Sequence, residues 1–257
     1  MKTKQFHIGL TASAALLMVD LAFAGAAGHG DVAWSHSGAT GPEHWGDLSE
    51  KFILCKTGKA QSPIDITGPT KSNPPSLEIR YQSSTGAIDE LYNGHTIEVH
   101  IDANNTIAID NEPYKLLQFH FHTPSEHHID GKAAPMELHL VHKNAKGEIA
   151  VIGVMMKEGK ENPVLREIWE NLPNELGEHT KRSGKTFDIN GFLPEDKAYF
   201  HYSGSLTTPP CSEPVRWFVM KNPIELSREH IADFDRIVGH DNRPVQPLNG
   251  RDIFLSQ

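Results

Sequence analysis

One short pattern constrains this chain more than any other. Residues 118–122 read Gln118-Phe119-His120-Phe121-His122, and residues 137–141 read Glu137-Leu138-His139-Leu140-Val141. Both runs alternate in residue type, and alternation with a period of two predicts β-strands. Successive strand side chains point to opposite faces. Gln118, His120 and His122 therefore share one face and Phe119 and Phe121 the other, while Glu137, His139 and Val141 share a face of the second run. Two such strands close together in one sheet bring three imidazoles together. Three protein nitrogens with an open fourth position is the arrangement of a catalytic zinc site. His-x-His alone is a weak signal in a chain with 16 histidines. The third strand histidine, with acids and amides beside it, raises the metal site to an expectation that the rest of the chain must decide.

The 257 residues, 38% hydrophobic and 22% charged, describe an ordinary globular chain able to bury a substantial core. A formal net charge of −9 argues against a nucleic-acid partner, which needs a basic face. The N-terminus reads as a signal peptide over residues 1–24. Lys2 and Lys4 supply a positive start, residues 8–19 an apolar stretch, and Ala22-Phe23-Ala24 a small-x-small cleavage site, with Asp20 an unusual neighbour. The apolar stretch is shorter than the roughly 20 residues that span a bilayer. No second run of spanning length follows, so a soluble periplasmic or secreted protein is expected. In such a compartment the only two cysteines, Cys55 and Cys211, are expected to pair. Closing so long a loop is worth about 4 to 5 kcal/mol in the chain-entropy model.

Residues 25–33 read as a flexible segment and residues 34–257 as one domain, without repeats, linkers or charge blocks. Residues 34–45 form an ordered loop segment pinned by Trp34 and Trp45, and residues 61–66 a turn entering a short strand. Strands are expected over 77–81, 96–101, from 106 to 109, over 116–122, 136–142 and 215–220. A buried central strand is expected over the apolar run 148–156. Asn93-Gly94 marks a hairpin turn. Helices are expected over 164–172, after Asn162-Pro163, and over 227–238, after a Ser227 cap. Residues 186–193 read as loop with a little strand, and 206–211 as irregular. Many strands with few helices predict a mostly β (α+β) fold, with a large, mainly antiparallel sheet and short peripheral helices.

With these elements in order, the chain resembles an α-class carbonic anhydrase of the bacterial, exported type. The resemblance is carried by Gly41-Pro-Glu-His-Trp45, Gln61-Ser-Pro-Ile-Asp65, Asn93-Gly-His95, Gln118-Phe-His-Phe-His122, Ser125-Glu-His127, Glu137-Leu-His-Leu-Val-His142, Ser205-Leu-Thr-Thr-Pro-Pro210, Trp217 and Arg243-Pro-Val-Gln-Pro247. It implies a twisted sheet with zinc at the base of a conical cleft. His120, His122 and His139 become the Zn2+ ligands, with Gln118 and Glu137 orienting them from behind. Zinc in this family lowers the pKa of a bound water to about 7, a value taken from the family rather than derived from this chain. The resulting hydroxide attacks CO2, and water displaces bicarbonate.

The same resemblance makes Thr207 a gatekeeper that Glu126 orients, and His95 the proton shuttle. It makes Val141, Val151, Leu206, Val215 and Trp217 the apolar wall for CO2, with Thr208 contacting bicarbonate. Sulfonamides and small anions would inhibit, and a homodimer is left open. The chain departs from the family at two places. His36 stands where a tyrosine is common, and Glu98 where an amide is usual. Either ionisable group could alter the proton path, His36 as a second relay. The other histidines, among them His100, His127, His128, His142, His201 and His240, read as structural or surface residues. Competing readings are a zinc-dependent esterase and a non-catalytic periplasmic zinc-binding module. The retained histidine trio argues against a dead relative, and the Thr207–Glu126 pair argues against a carrier.

Overall fold

The alternating run around His120 is part of a strand, Glu112–His122, and that around His139 of a second, Met136–Asn144. The two pair antiparallel, and on either side the sheet grows to 13 strands. The structure, a computed structural model, describes residues 32–69 and 71–256. The signal peptide expected over residues 1–24 lies outside the described residues.

The main path through the sheet runs His179–Arg182, Ile88–Tyr92, Ile97–Ile101, Glu112–His122, Met136–Asn144, Ile149–Glu158, Val215–Met220 and Tyr199–Gly204. Most neighbours are antiparallel. Ile149–Glu158 pairs parallel with Val215–Met220 and, at its far end, with Ile224–Leu226. The unbroken apolar run over 148–156 is explained by its place: both faces of that strand are covered. Ala150, Ile152, Val154 and Met156 enter the larger core, and Val151 and Met155 the smaller one.

The sheet thus separates two apolar layers. Phe119 and Phe121, the alternate residues of the histidine strand, are fully buried in the larger core. Each contributes about 1.5–3 kcal/mol by leaving water. The two helices pack on this same side through Leu165, Ile168, Trp169 and Phe234. The histidine face is left to the other side.

The helix after Asn162 runs only Pro163–Trp169. Asn162 caps it by accepting from Val164 and Leu165. It stops short of residue 172 because Pro173 pushes its predecessor out of the helical region. The second helix, Arg228–Val238, has the expected Ser227 cap. Residues 189–192 form a 3-10 turn capped by Asp188. Tyr199–Gly204 and His179–Arg182 carry no alternating signature: the first is buried on both faces except at Ser203, and the polar second lies at a sheet edge.

Candidate metal centre

Register brings the three imidazoles together. His139 lies directly across the strand pair from His120, and Glu137 directly across from His122. Ring centroids are 5.0 Å apart for His120–His122, 5.2 Å for His120–His139 and 4.6 Å for His122–His139. One nitrogen from each ring falls within 4.8 Å of the other two. His122 and His139 are buried, while His120 is partly open to solvent.

The remaining nitrogen of each ring is held from behind. His120 Nδ1 donates to Gln118 Oε1 at 2.8 Å, and His122 Nδ1 to the Asp241 carbonyl at 3.1 Å. An oxygen of this kind has no proton, so both rings carry theirs on Nδ1 and present a bare Nε2. His139 reverses the pattern: its Nε2 faces Glu137 Oε1 at 2.9 Å, which leaves Nδ1 bare. His122 Nε2 is a buried polar atom with no hydrogen-bond partner. Imidazoles oriented from outside, with their other nitrogens converging, suit a borderline-soft dication such as zinc.

A second candidate cluster, His127–Glu137–His139, overlaps the first. It fits a metal less well, because His127 has no bare nitrogen. Its Nδ1 donates to Glu137 Oε1 at 2.8 Å, and its Nε2 accepts from the Tyr202 hydroxyl at 2.6 Å. Tyr202 in turn bonds Ser62 Oγ at 2.8 Å, and Ser62 exchanges hydrogen bonds with Ser205. Glu137 Oε2 accepts from the backbone of Glu126 and His127. Burial alone would raise the Glu137 carboxyl; the His127 and His139 imidazoles outweigh it and hold the group well below the usual range.

Glu126 is fully buried between the trio and the loop after the Tyr199–Gly204 strand. Its Oε1 accepts from the Arg243 backbone at 2.9 Å, and the Thr207 hydroxyl donates to its carboxylate. Its Oε2 faces His122 Nε2 at 3.5 Å and His139 Nδ1 at 3.8 Å. Burial opposes ionisation of Glu126, but the His122 and His139 imidazoles, the Arg243 backbone N–H and the Thr207 hydroxyl lower its pKa on balance. The Arg243 side chain, buried against Trp45, donates to Gln61, the Ser62 carbonyl and the Cys55 carbonyl.

The disulfide Cys55–Cys211 is present. It anchors the loop that carries Thr207 and Thr208, which also closes through Leu206 N–H to the Ser212 carbonyl and Cys211 N–H to the Thr208 carbonyl. Val141, Val151, Val215 and Trp217 are buried in one apolar cluster, with Leu206 packed against it. Trp217 meets the His139 ring edge-on at 4.9 Å.

His95 follows the Asn93-Gly94 turn, where Asn93 Oδ1 accepts from the backbone of His95 and Thr96 and Gly94 takes φ +87°. Trp34 stacks on it. His36 lies 6.2 Å from His95 between ring centroids, and its Nε2 is buried without a partner. Burial pulls His36 down to about 4, so it is a neutral ring at ordinary pH. Glu98 sits on the neighbouring strand, directly across from His120, and its Oε2 accepts from Gln118 Nε2 at 3.4 Å.

Several contributors had no functional reading of their own in the sequence. Asp241 supplies a backbone carbonyl, which any residue type offers. Arg243 was visible only as part of a motif. His127, read as structural or surface, is the buried link between Glu137 and Tyr202.

Three histidines converging from adjacent antiparallel strands, with acids and an amide behind them, form a candidate three-nitrogen metal centre on a β-sheet. The chain belongs to the eukaryotic-type carbonic anhydrase family, whose model matches residues 40–257. It is 43% identical to a carbonic anhydrase of Pectobacterium atrosepticum over 92% of this chain and 96% of that one. It is 48% identical to one of Klebsiella pneumoniae over 85% and 89%. The α-carbonic anhydrase of Thermovibrio ammonificans, solved with the inhibitor sulfanilamide, superposes with a TM-score of 0.83 at 46% identity, covering 88% of this chain and all of that one.

Proposed function

We propose that this protein is a zinc carbonic anhydrase catalysing the reversible hydration of CO2 to bicarbonate and a proton. The observation that carries the reading is the set of three bare, convergent imidazole nitrogens beside the Glu126–Thr207 pair. His120 Nε2, His122 Nε2 and His139 Nδ1 would hold Zn2+, with Gln118 and Glu137 fixing the His120 and His139 rings. When bound, zinc supplies a hydroxide nucleophile at neutral pH by lowering the pKa of water, a known property of the family.

The chain's own residues do the rest. An ionised carboxylate can only accept, so the Thr207 hydroxyl must donate to Glu126. Its lone pair is then left to accept from the nucleophile, which aims the attacking oxygen at the CO2 carbon. Val141, Val151, Leu206, Val215 and Trp217 offer CO2 an apolar wall, and Thr208 contacts bicarbonate. His95 carries the released proton outward, and His36 and Glu98 border its path.

Residues 1–24 act as a signal peptide for a domain over 34–257, and the protein works in the periplasm or outside the cell. The disulfide supports an oxidising compartment. No helix among the described residues is long and apolar enough to cross a membrane. Sulfonamides and small anions would inhibit. Stopped-flow CO2 hydration with metal analysis tests the reading: one zinc per chain and chelator-sensitive turnover are expected. A zinc-loaded protein no faster than buffer would overturn it.

A further inference from the structure

Three groups hold the trio from behind: the Gln118 amide, the Asp241 carbonyl and the Glu137 carboxylate. A carbonyl and a carboxylate can only accept, but an amide can be turned over, since it accepts at one end and donates at the other. With Oε1 turned to His120 Nδ1, as here at 2.8 Å, the ring proton sits on Nδ1 and Nε2 is bare. Turned over, Gln118 would donate to Nδ1 and leave the proton on Nε2, the atom a metal needs. The two amide orientations have nearly the same shape, so packing does not choose between them. Of the three supports, only this one is reversible.

The next side chain outward makes the choice. Glu98 lies directly across from His120 on the adjoining strand, and residues paired in this way share a face. Its Oε2 is 3.4 Å from Gln118 Nε2. A carboxylate admits the NH2 end of the amide and repels the oxygen end. Glu98 Oε1 is 2.7 Å from His100 Nε2, a contact that keeps the carboxylate from swinging away. The Glu98 side chain is only 15% exposed, so solvent competes little for these contacts.

Resting on the zinc carbonic anhydrase reading above, we infer that Glu98 is a positioning residue for the metal centre: it fixes the orientation of the Gln118 amide and, through it, the metal-binding tautomer of His120. The chain of contacts has one direction. His100 Nε2 and Gln118 Nε2 both face Glu98, and Gln118 Oε1 accepts from His120 Nδ1. An amide at position 98 would reach the same result only when its own oxygen faced Gln118. A carboxylate has no wrong end.

The test compares the full chain with Glu98→Ala and Glu98→Gln, and repeats Glu98→Ala in a Gln118→Ala background. Nitrogen-15 NMR of the metal-free proteins reads the His120 tautomer. The parent is expected to show the Nδ1–H form alone and Glu98→Ala a mixture, with Glu98→Gln restoring the parent pattern. In chelator competition, zinc should bind about ten-fold more weakly to Glu98→Ala and nearly as tightly as the parent to Glu98→Gln. Once Gln118 is gone, Glu98→Ala should cost little more, because Glu98 acts through that amide. A His120 that keeps the Nδ1–H form alone in Glu98→Ala overturns the inference. So does a loss of affinity that Glu98→Gln does not restore, or one equally large without Gln118, since either makes Glu98 simply a charge near the cation. A parent that binds no zinc sinks the carbonic anhydrase reading itself.

Discussion

Trp34 lies flat on His95, with 3.6 Å between ring centroids and 4° between planes. The stack covers one face of the imidazole, and burial lowers its pKa. Trp34→Ala is expected to uncover the ring and raise its pKa toward about 6.5, as NMR titration would read. An unmoved pKa would mean that other groups bury His95.

Gly153 sits across from His139, and a Cβ built on it would come 2.8 Å from Glu137 Oε1. That oxygen also serves His127 and His139, so it has little freedom to move. Gly153→Ala is expected to displace the carboxylate from His139 and weaken zinc binding about 10- to 100-fold. Chelator competition measures this directly. Affinity equal to the parent would show that the carboxylate can shift and still orient the ring.

Buried histidines set the acid limit of stability. Burial lowers His142 to about 3 and His201 to about 4. Above about pH 6.5 both are neutral in folded and unfolded chains alike, and their stability contribution is complete. As pH falls below that, the unfolded chain takes up protons that the folded one refuses. Stability then drops by up to about 1.4 kcal/mol per pH unit for each group, until the folded pKa is reached. Urea midpoints should decline between about pH 6.5 and 4, and His142→Gln should flatten the slope. An equal slope in the variant would remove His142 from the account.

Cys55 and Cys211 are 156 positions apart, and their bond pins the Thr207 loop. Replacing both with Ser should lower unfolding free energy by about 4 to 5 kcal/mol in the chain-entropy view, as denaturant titration would measure. If the loop also loosens, kcat/KM should fall with zinc retained.

Sequence reading succeeded where a local pattern has a geometric meaning. His120, His122 and His139 were legible because a period of two fixes a face, and register then did the joining. Gln118 and Glu137 lie two residues from a histidine of the trio and share its face. The Glu126–Thr207 pair joins distant segments, and only the family resemblance indicated it. Asp241 was invisible because its acceptor is a main-chain oxygen. The Tyr199–Gly204 strand was missed because burial on both faces erases alternation.

The two groups that support the trio from outside, the Asp241 carbonyl on His122 and the Arg243 amide on Glu126, come from a segment far along the chain from it. A ribosome makes residues 120–139 long before residue 241. Until residues 241–243 join the fold, His122 lacks this carbonyl and Glu126 this backbone donor. Metal affinity at the trio is expected to depend on this distant segment as well as on the three histidines. A chain ending at residue 240 is expected to bind zinc weakly in a chelator assay, although all three histidines are present in its sequence.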